Sequence, residues 1–192
     1  MSKPQAKRSS FPPLQKRIIL HLAKSEPQTI NETKKGIKGH YKSSWIAFNA
    51  LGQKGLIKKT EAKDYRGRKY PRFWLTQGGI FVALVEGADA GSLLQRTVIV
   101  FPDEKTLQCC LELSPLLGLE GFKIGLSAIQ DKGKLDYFDM MKIVLAHAQK
   151  DVSPQQFKGL IEILKKYPKE YKGTKKRISQ TNKLLTELES MI

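Results

Sequence analysis

The sequence predicts a mainly α-helical fold with one small β-hairpin, arranged in two domains. Three observations support this architecture: apolar residues recur at helical spacing, two short strand-like runs flank a basic glycine loop, and positive charge is concentrated before Thr97. With 192 residues, of which 40% are hydrophobic, the chain is long enough for two small cores. We therefore expect domains over residues 11–97 and 98–192, preceded by a disordered basic arm over residues 1–10.

The net charge of +16 lies almost entirely in the first half of the chain. Residues 1–97 hold 19 Lys and Arg against 6 Asp and Glu, whereas residues 98–192 hold 15 against 12. Residues 34–72 alone hold 12 against 2. Such a surplus favours a polyanionic partner over a small-molecule substrate, with a basic surface kept for solubility as the alternative.

Several classes of protein are disfavoured by what the sequence lacks. No apolar stretch approaches the roughly 18–20 residues of a membrane span, and the basic N-terminus has no apolar signal region. Cys109 and Cys110 are adjacent and match no metal-ligand spacing, so we interpret them as small core residues of a cytoplasmic protein, with a redox sensor as the alternative. The three histidines are scattered and no catalytic motif is present. We predict no enzyme activity, metal or cofactor.

The first two helices are predicted from their end signals. Residues 12–13 are prolines, which are tolerated in a first turn and open a helix that runs to about Ser25. Residues 29–32, Thr-Ile-Asn-Glu, have the form of a capping box and begin a second helix. That helix is short, because Gly36 and Gly39 break it.

A third helix is predicted from about Tyr41 to Lys54, with Gly55 as its stop signal. The helical spacing places four of its residues on one buried face, namely Tyr41, Ser44, Phe48 and Leu51. The opposite face is therefore expected to be exposed.

A β-hairpin follows, with strands over about residues 56–63 and 70–76 around the basic tip 64–69. Alternation along the second strand predicts that Phe73 and Leu75 point inward and that Arg72 and Trp74 point outward. Thr76 is expected to cap a fourth helix that runs to about Glu86.

The second half is predicted to be α-helical, with helices over residues 103–117, 128–149, 154–167 and 174–192. The last helix carries an apolar stripe that includes Ile178, Leu185, Leu188 and Ile192. This stripe fits a homodimer seam and fits equally well an amphipathic helix packed on its own domain.

Four sequence phrases over residues 11–87 resemble the winged helix-turn-helix domains of archaeal and bacterial transcription regulators. They are the capping box 29–32, the phrase FNALGQKGLI at 48–57, the basic tip RGRK at 66–69, and FWLTQGG at 73–79. The resemblance implies that the third helix recognises DNA and that the hairpin is the wing.

A recognition helix in the major groove reads base edges by hydrogen bonds and methyl contacts. Asn49 suits an adenine edge and Ile46 a thymine methyl, although Ile46 also suits the core and Trp45 also suits packing. The candidate residues on this helix are Lys42, Ser43, Trp45, Ile46 and Asn49. The second helix and the wing supply further candidate contacts, which for the wing tip lie on phosphates or in the minor groove. They are Lys34, Lys35, Lys38, Arg66, Arg68, Lys69 and Arg72.

The sequence thus predicts a protein that binds specific sequences of double-stranded DNA and regulates transcription. We expect it to be a homodimer and to be associated with the nucleoid in the cytoplasm. One alternative is a non-specific nucleic-acid or chromatin-associated protein that uses the same basic face. Another is a winged-helix module that docks a protein of the transcription or replication machinery. The DNA target, the direction of regulation and any effector are not predicted.

Overall fold

The computed structural model describes residues 11–65 and 68–133, and eight further positions between 139 and 186. At residues 61–65, 68, 106, 115 and 116 it describes the backbone alone. The described chain is mainly helical with a two-stranded antiparallel hairpin, as predicted. Its elements are α1 Pro13–Lys24, α2 Ile30–Gly36, α3 Tyr41–Gln53, β1 Ile57–Tyr65, β2 Arg68–Leu75, α4 Gln77–Val85, α5 Ala90–Val100, α6 Lys105–Glu112 and α7 Ser114–Lys132.

The chain divides into two compact units between Ala88 and Asp89. The boundary predicted at Thr97 lies inside α5, which packs against α6 of the second unit. The local cause is a pair of end signals: Gly87 adopts a φ of 94° after α4, and the Asp89 carboxylate accepts a hydrogen bond of 2.7 Å from the Ser92 amide.

The predicted beginnings of α1 and α2 are confirmed. Pro12 is the N-cap of α1. Proline has no amide proton, but at this position the helix needs none, because the first amides of a helix have no intrahelical acceptor. In the capping box of α2, the Thr29 amide donates to Glu32 Oε2 at 2.8 Å, and the Glu32 amide donates to Thr29 Oγ1 at 3.3 Å.

The core of the first unit lies where α1, α3, α4 and β2 meet. α1 and α3 each contribute a buried face at helical spacing, because side chains three or four residues apart share a face, whereas α4 is buried along nearly its whole length. Fully buried members include Ile18, Leu22, Leu51, Ile80 and Phe81. This core fixes the orientation of α3 and leaves the other side of that helix exposed.

The hairpin is anchored on its second strand. β1 pairs with β2 from Ile57 opposite Leu75 to Tyr65 opposite Arg68, with a bulge after Lys59. On the other side of β2, Gln28 and Phe73 exchange two backbone hydrogen bonds of 2.8 and 3.0 Å. The segment between α1 and α2 is thereby tied to the hairpin.

The orientation predicted for Trp74 is wrong. Its side chain is fully buried, and its indole Nε1 donates to the carbonyls of Leu22 and Ser25 at 2.9 and 3.1 Å. Carbonyls at the end of a helix lack intrahelical partners, so the indole satisfies acceptors at the C-terminus of α1. Leu75 is buried as predicted, whereas Phe73 is half-buried.

Two of the sequence phrases meet at the base of the hairpin. The Thr76 hydroxyl donates to the Gly55 carbonyl at 2.6 Å and accepts from the Gly79 amide at 3.1 Å, which confirms Thr76 as the cap of α4. A β-carbon on Gly79 would lie 1.9 Å from the Leu56 carbonyl oxygen. Only glycine therefore allows the first turn of α4 to approach the start of β1 so closely.

The second unit contains α5, α6 and α7 in its described part. The helix predicted over residues 103–117 is instead divided, because α6 ends at Glu112 and α7 begins at Ser114. Gly118 breaks the helical geometry within α7 with a φ of 57°, and Gly133 ends it with a φ of 77°. The stripe Ile178, Leu185, Leu188 and Ile192 and the arm 1–10 lie outside the described residues.

Both cysteines of the second unit lie in its core, as predicted. Burial raises the pKa of the Cys110 thiol well above its usual range, and the neighbouring Cys109 adds to this shift. The thiol therefore stays protonated at neutral pH, which disfavours the redox-sensor alternative. At the start of α5, hydrogen bonds from Ser92 hold the pKa of the Asp89 carboxyl below its ordinary value.

Candidate nucleic-acid interface

The third helix presents a continuous solvent-exposed face. Its inner face is formed by Ser44, Ala47, Phe48 and Leu51, all buried. The five candidate residues Lys42, Ser43, Trp45, Ile46 and Asn49 are all exposed on the other side. Ile46 is 54% exposed, so its alternative assignment to the core is wrong.

Two further residues of α3 belong to the exposed face. Gln53, at the end of the helix, continues a 4-3-4 spacing through Lys42, Ile46 and Asn49. The sequence prediction missed Gln53, although the spacing alone was sufficient to find it. Tyr41 was predicted to be buried and is instead 50% exposed, because α3 begins there and projects beyond the core.

The turn between α2 and α3 holds a lysine in an unusual backbone conformation. Lys38 has a φ of 50°, in the left-handed region that an L-residue adopts with strain. The turn is held by the Gly39 amide, which donates to the Lys34 carbonyl at 2.9 Å, and by the Arg17 guanidinium, which donates to the Ile37 carbonyl. The exposed Lys38 side chain is thus carried by a fixed turn just before α3.

Most of the predicted backbone contacts that the structure describes are exposed cations. Lys35, Lys38 and Lys69 are exposed, Lys34 and Arg72 are half-buried, and Lys58 and Lys59 add exposed charge on β1. Arg72 Nε is buried and has no hydrogen-bond partner among the described residues. Arg66 and the side chain of Arg68 lie outside the described residues.

Lys54 follows α3 directly but is held away from this face. Its Nζ donates to Gln15 Oε1 at 3.1 Å and lies 4.8 Å from the centre of the Phe11 ring. The ammonium group is therefore engaged with the start of α1.

Trp45 and Asn49 also line a cleft of about 280 Å³ between α2, α3 and the hairpin. Tyr41 completes an i, i+4, i+8 row with them on α3, and Lys59 and Tyr70 face the same cleft from the hairpin. The contribution of the hairpin was missed, because no local pattern shows which strand residues will face a helix.

Nothing in the described residues points to a metal site, since no group of three His, Cys, Asp or Glu side chains converges there. None of the described helices is both long and apolar enough to cross a membrane. No family model, curated protein or solved structure matches the chain.

Proposed function

We propose that the first unit is a winged helix-turn-helix domain and that it binds double-stranded DNA. In this proposal α3 enters the major groove, the β1–β2 hairpin lies along the backbone, and the protein is a sequence-specific transcription regulator. The supporting arrangement is three helices, a hairpin, and the short Gln28–Phe73 pairing that ties the hairpin to the helices.

The exposed face of α3 is the observation that carries the proposal. Lys42, Ile46, Asn49 and Gln53 follow one stripe of a helix whose opposite face is buried in the core. An α-helix with its side chains is about 10–12 Å wide, which matches a major groove about 12 Å wide. Two amides, one apolar side chain and one cation are the groups that read adenine, thymine and guanine edges.

Charge supports a role in DNA binding for the whole unit. Residues 11–88 hold 15 Lys and Arg against 5 Asp and Glu. Phosphates account for most of the affinity in such interfaces, whereas base contacts provide the specificity. Lys35, Lys38 and Lys69 are exposed cations from two separate elements and one turn, so they suit contacts with several phosphates.

The proposal is tested by selecting preferred sites from random duplex DNA and then measuring affinity for selected and scrambled duplexes at several salt concentrations. Asn49→Ala is expected to weaken binding to the selected site by about 1–3 kcal/mol and to leave scrambled DNA nearly unchanged. The slope of log K against log salt should stay constant, because no charge is removed.

Lys42→Gln and Lys54→Gln form a matched pair for the charge contribution. Each removes one cation near α3, but Lys54 is engaged with Gln15 and Phe11. Only Lys42→Gln should reduce the salt slope, by about 0.9 if one phosphate contact is lost. Equal effects of the two changes would contradict the placement of α3, and a protein with no preferred site would be a non-specific binder. Absence of any DNA binding at moderate salt would overturn the proposal.

A further inference from the structure

The cleft between α2, α3 and the hairpin has the chemistry of a nucleobase site. Tyr41, Trp45 and Tyr70 line it and are 50%, 49% and 37% exposed. Large aromatic side chains usually bury most of their surface, so three exposed rings around one concavity indicate a binding site.

Packing of the first unit does not account for these rings. α3 is held by Phe48 and Leu51, and Phe48 meets Phe73 of β2 edge to face at 5.2 Å between ring centres. These contacts lie on the buried side of α3, whereas Tyr41 and Trp45 project from the exposed side. The exposed rings therefore remain available for a ligand.

The polar groups around the cleft define what kind of ring the ligand carries. Asn31 and Asn49 line it, and a side-chain amide offers both donors and acceptors, as the edge of a base requires. Lys59 lines it as well and supplies a cation for a phosphate. None of its lining residues is acidic, so a nucleotide meets no repulsion there.

We propose that this cleft binds a single unpaired nucleobase of the DNA. The base would lie against both Trp45 and Tyr70, stacked on the Trp45 ring, with its phosphate near Lys59. A volume of about 280 Å³ is just below the roughly 300 Å³ at which sites for drug-sized ligands begin, which suits a group as small as one base. A base that is paired and stacked in a duplex has no exposed face to offer. This inference rests on the proposed function, because α3 brings the DNA to the cleft. It adds a preference for DNA with an unpaired nucleotide, which reading of the duplex alone does not give.

The test compares three probes of one sequence with the full-length protein: a paired duplex, the same duplex with one unpaired central nucleotide, and the single strand. Fluorescence anisotropy gives the affinities at fixed salt. We expect the duplex with the unpaired nucleotide to bind roughly 5- to 150-fold tighter than the paired duplex, the range expected for one base–aromatic stack.

Variants separate stacking from general DNA contact. Trp45→Ala and Tyr70→Ala should each remove most of this preference, whereas Trp45→Phe should retain it. Ile46→Ala is the control for contacts made by the rest of α3, because Ile46 is about equally exposed but does not line the cleft. It should weaken the paired and unpaired probes alike and so leave the preference unchanged. Thermal unfolding followed by circular dichroism establishes that each variant is folded.

A spectroscopic signal tests the contact directly. The chain has two tryptophans, and Trp74 is buried, so in Trp74→Phe the fluorescence reports Trp45 alone. Binding of the unpaired nucleotide should quench this fluorescence, and binding of the paired duplex should quench it much less.

Equal affinity for the paired and unpaired probes, with duplex binding intact, would overturn the nucleobase site and leave the proposed function standing. The nucleobase site would also be overturned if Trp45→Ala and Tyr70→Ala both kept the preference for the unpaired probe, or if that probe left the Trp45 fluorescence unquenched. Absence of binding to all three probes would overturn the proposed function together with this inference.

Discussion

The two units differ in what surrounds their exposed apolar groups. In the first unit Trp45 and Ile46 lie on a helix in a segment of high positive charge. In the second unit Val98 and Ile99 are comparably exposed, but residues 89–192 hold 16 Lys and Arg against 13 Asp and Glu. The same degree of apolar exposure therefore predicts different partners, since a large excess of positive charge surrounds it only in the first unit.

The difference in charge predicts where DNA binds. Residues 11–88 expressed alone should bind duplex DNA, and residues 89–192 should show no binding at the same salt concentration. The reason is that the exposed face of α3 and most of the net charge lie in the first unit. Fluorescence anisotropy with one labelled duplex measures the affinity of each fragment.

If residues 89–192 bound duplex DNA and residues 11–88 did not, the assignment of DNA binding to the first unit would be wrong. Weaker binding by residues 11–88 than by the whole chain would instead indicate that the second unit links two copies, because linked half-sites gain effective concentration.

The base of the hairpin should tolerate almost no added volume. In Gly79→Ala the new methyl group would lie within 2 Å of the Leu56 carbonyl oxygen, so the backbones of α4 and β1 must separate. We expect a loss of about 1–3 kcal/mol or more in the unfolding free energy of the first unit. Denaturant unfolding measures this loss.

Gly52→Ala is the control for Gly79→Ala. Gly52 lies in α3, and a β-carbon added there would have no atom from another part of the chain within 4 Å. Alanine should therefore stabilise the helix by up to about 1 kcal/mol. Equal effects at the two glycines would mean that the close approach of α4 and β1 does not contribute to stability.

Trp74→Phe should lower the stability of the first unit by about 1–3 kcal/mol. The ring is replaced by another aromatic ring, but the hydrogen bonds to the Leu22 and Ser25 carbonyls are lost in a buried place. Trp45→Phe, at an exposed position, should change stability by less than about 0.5 kcal/mol. Thermal and denaturant unfolding of the two variants measure how much the hydrogen bonds of the Trp74 indole contribute to stability.

The second unit should lose stability as the pH rises above about 8.5, the ordinary pKa of a cysteine thiol. The folded state keeps the Cys110 proton because burial raises its pKa, whereas the unfolded state releases it. The unfolded state then binds fewer protons, so the unfolding free energy falls with rising pH. Cys110→Ala should remove this dependence in denaturant titrations at about pH 7 and about pH 9.5, on either side of that ordinary pKa. An unchanged slope would contradict the assignment to Cys110.

The sequence alone determined the features of the fold that depend on near neighbours along the chain. The capping box of Thr29 and Glu32, the prolines at the start of α1 and the cap of α4 at Thr76 were all predicted correctly, because each joins residues within four positions. The buried face of α3 followed from helical spacing, except at Tyr41, where the core ends before the helix does.

Tertiary structure alone decided the features that depend on which surfaces meet. Alternation along β2 placed Trp74 outside, but its indole donates to the Leu22 and Ser25 carbonyls at the end of α1, about 50 positions away, and only the folded chain brings these groups together. Gly79 matched a sequence phrase, yet the Leu56 carbonyl that requires it lies 23 positions away. The cleft likewise joins Trp45 to Tyr70 across two elements. Local hydrogen bonds and helical period are encoded within a few residues, whereas packing partners are set by the whole core, and for this reason the site could be predicted only in part.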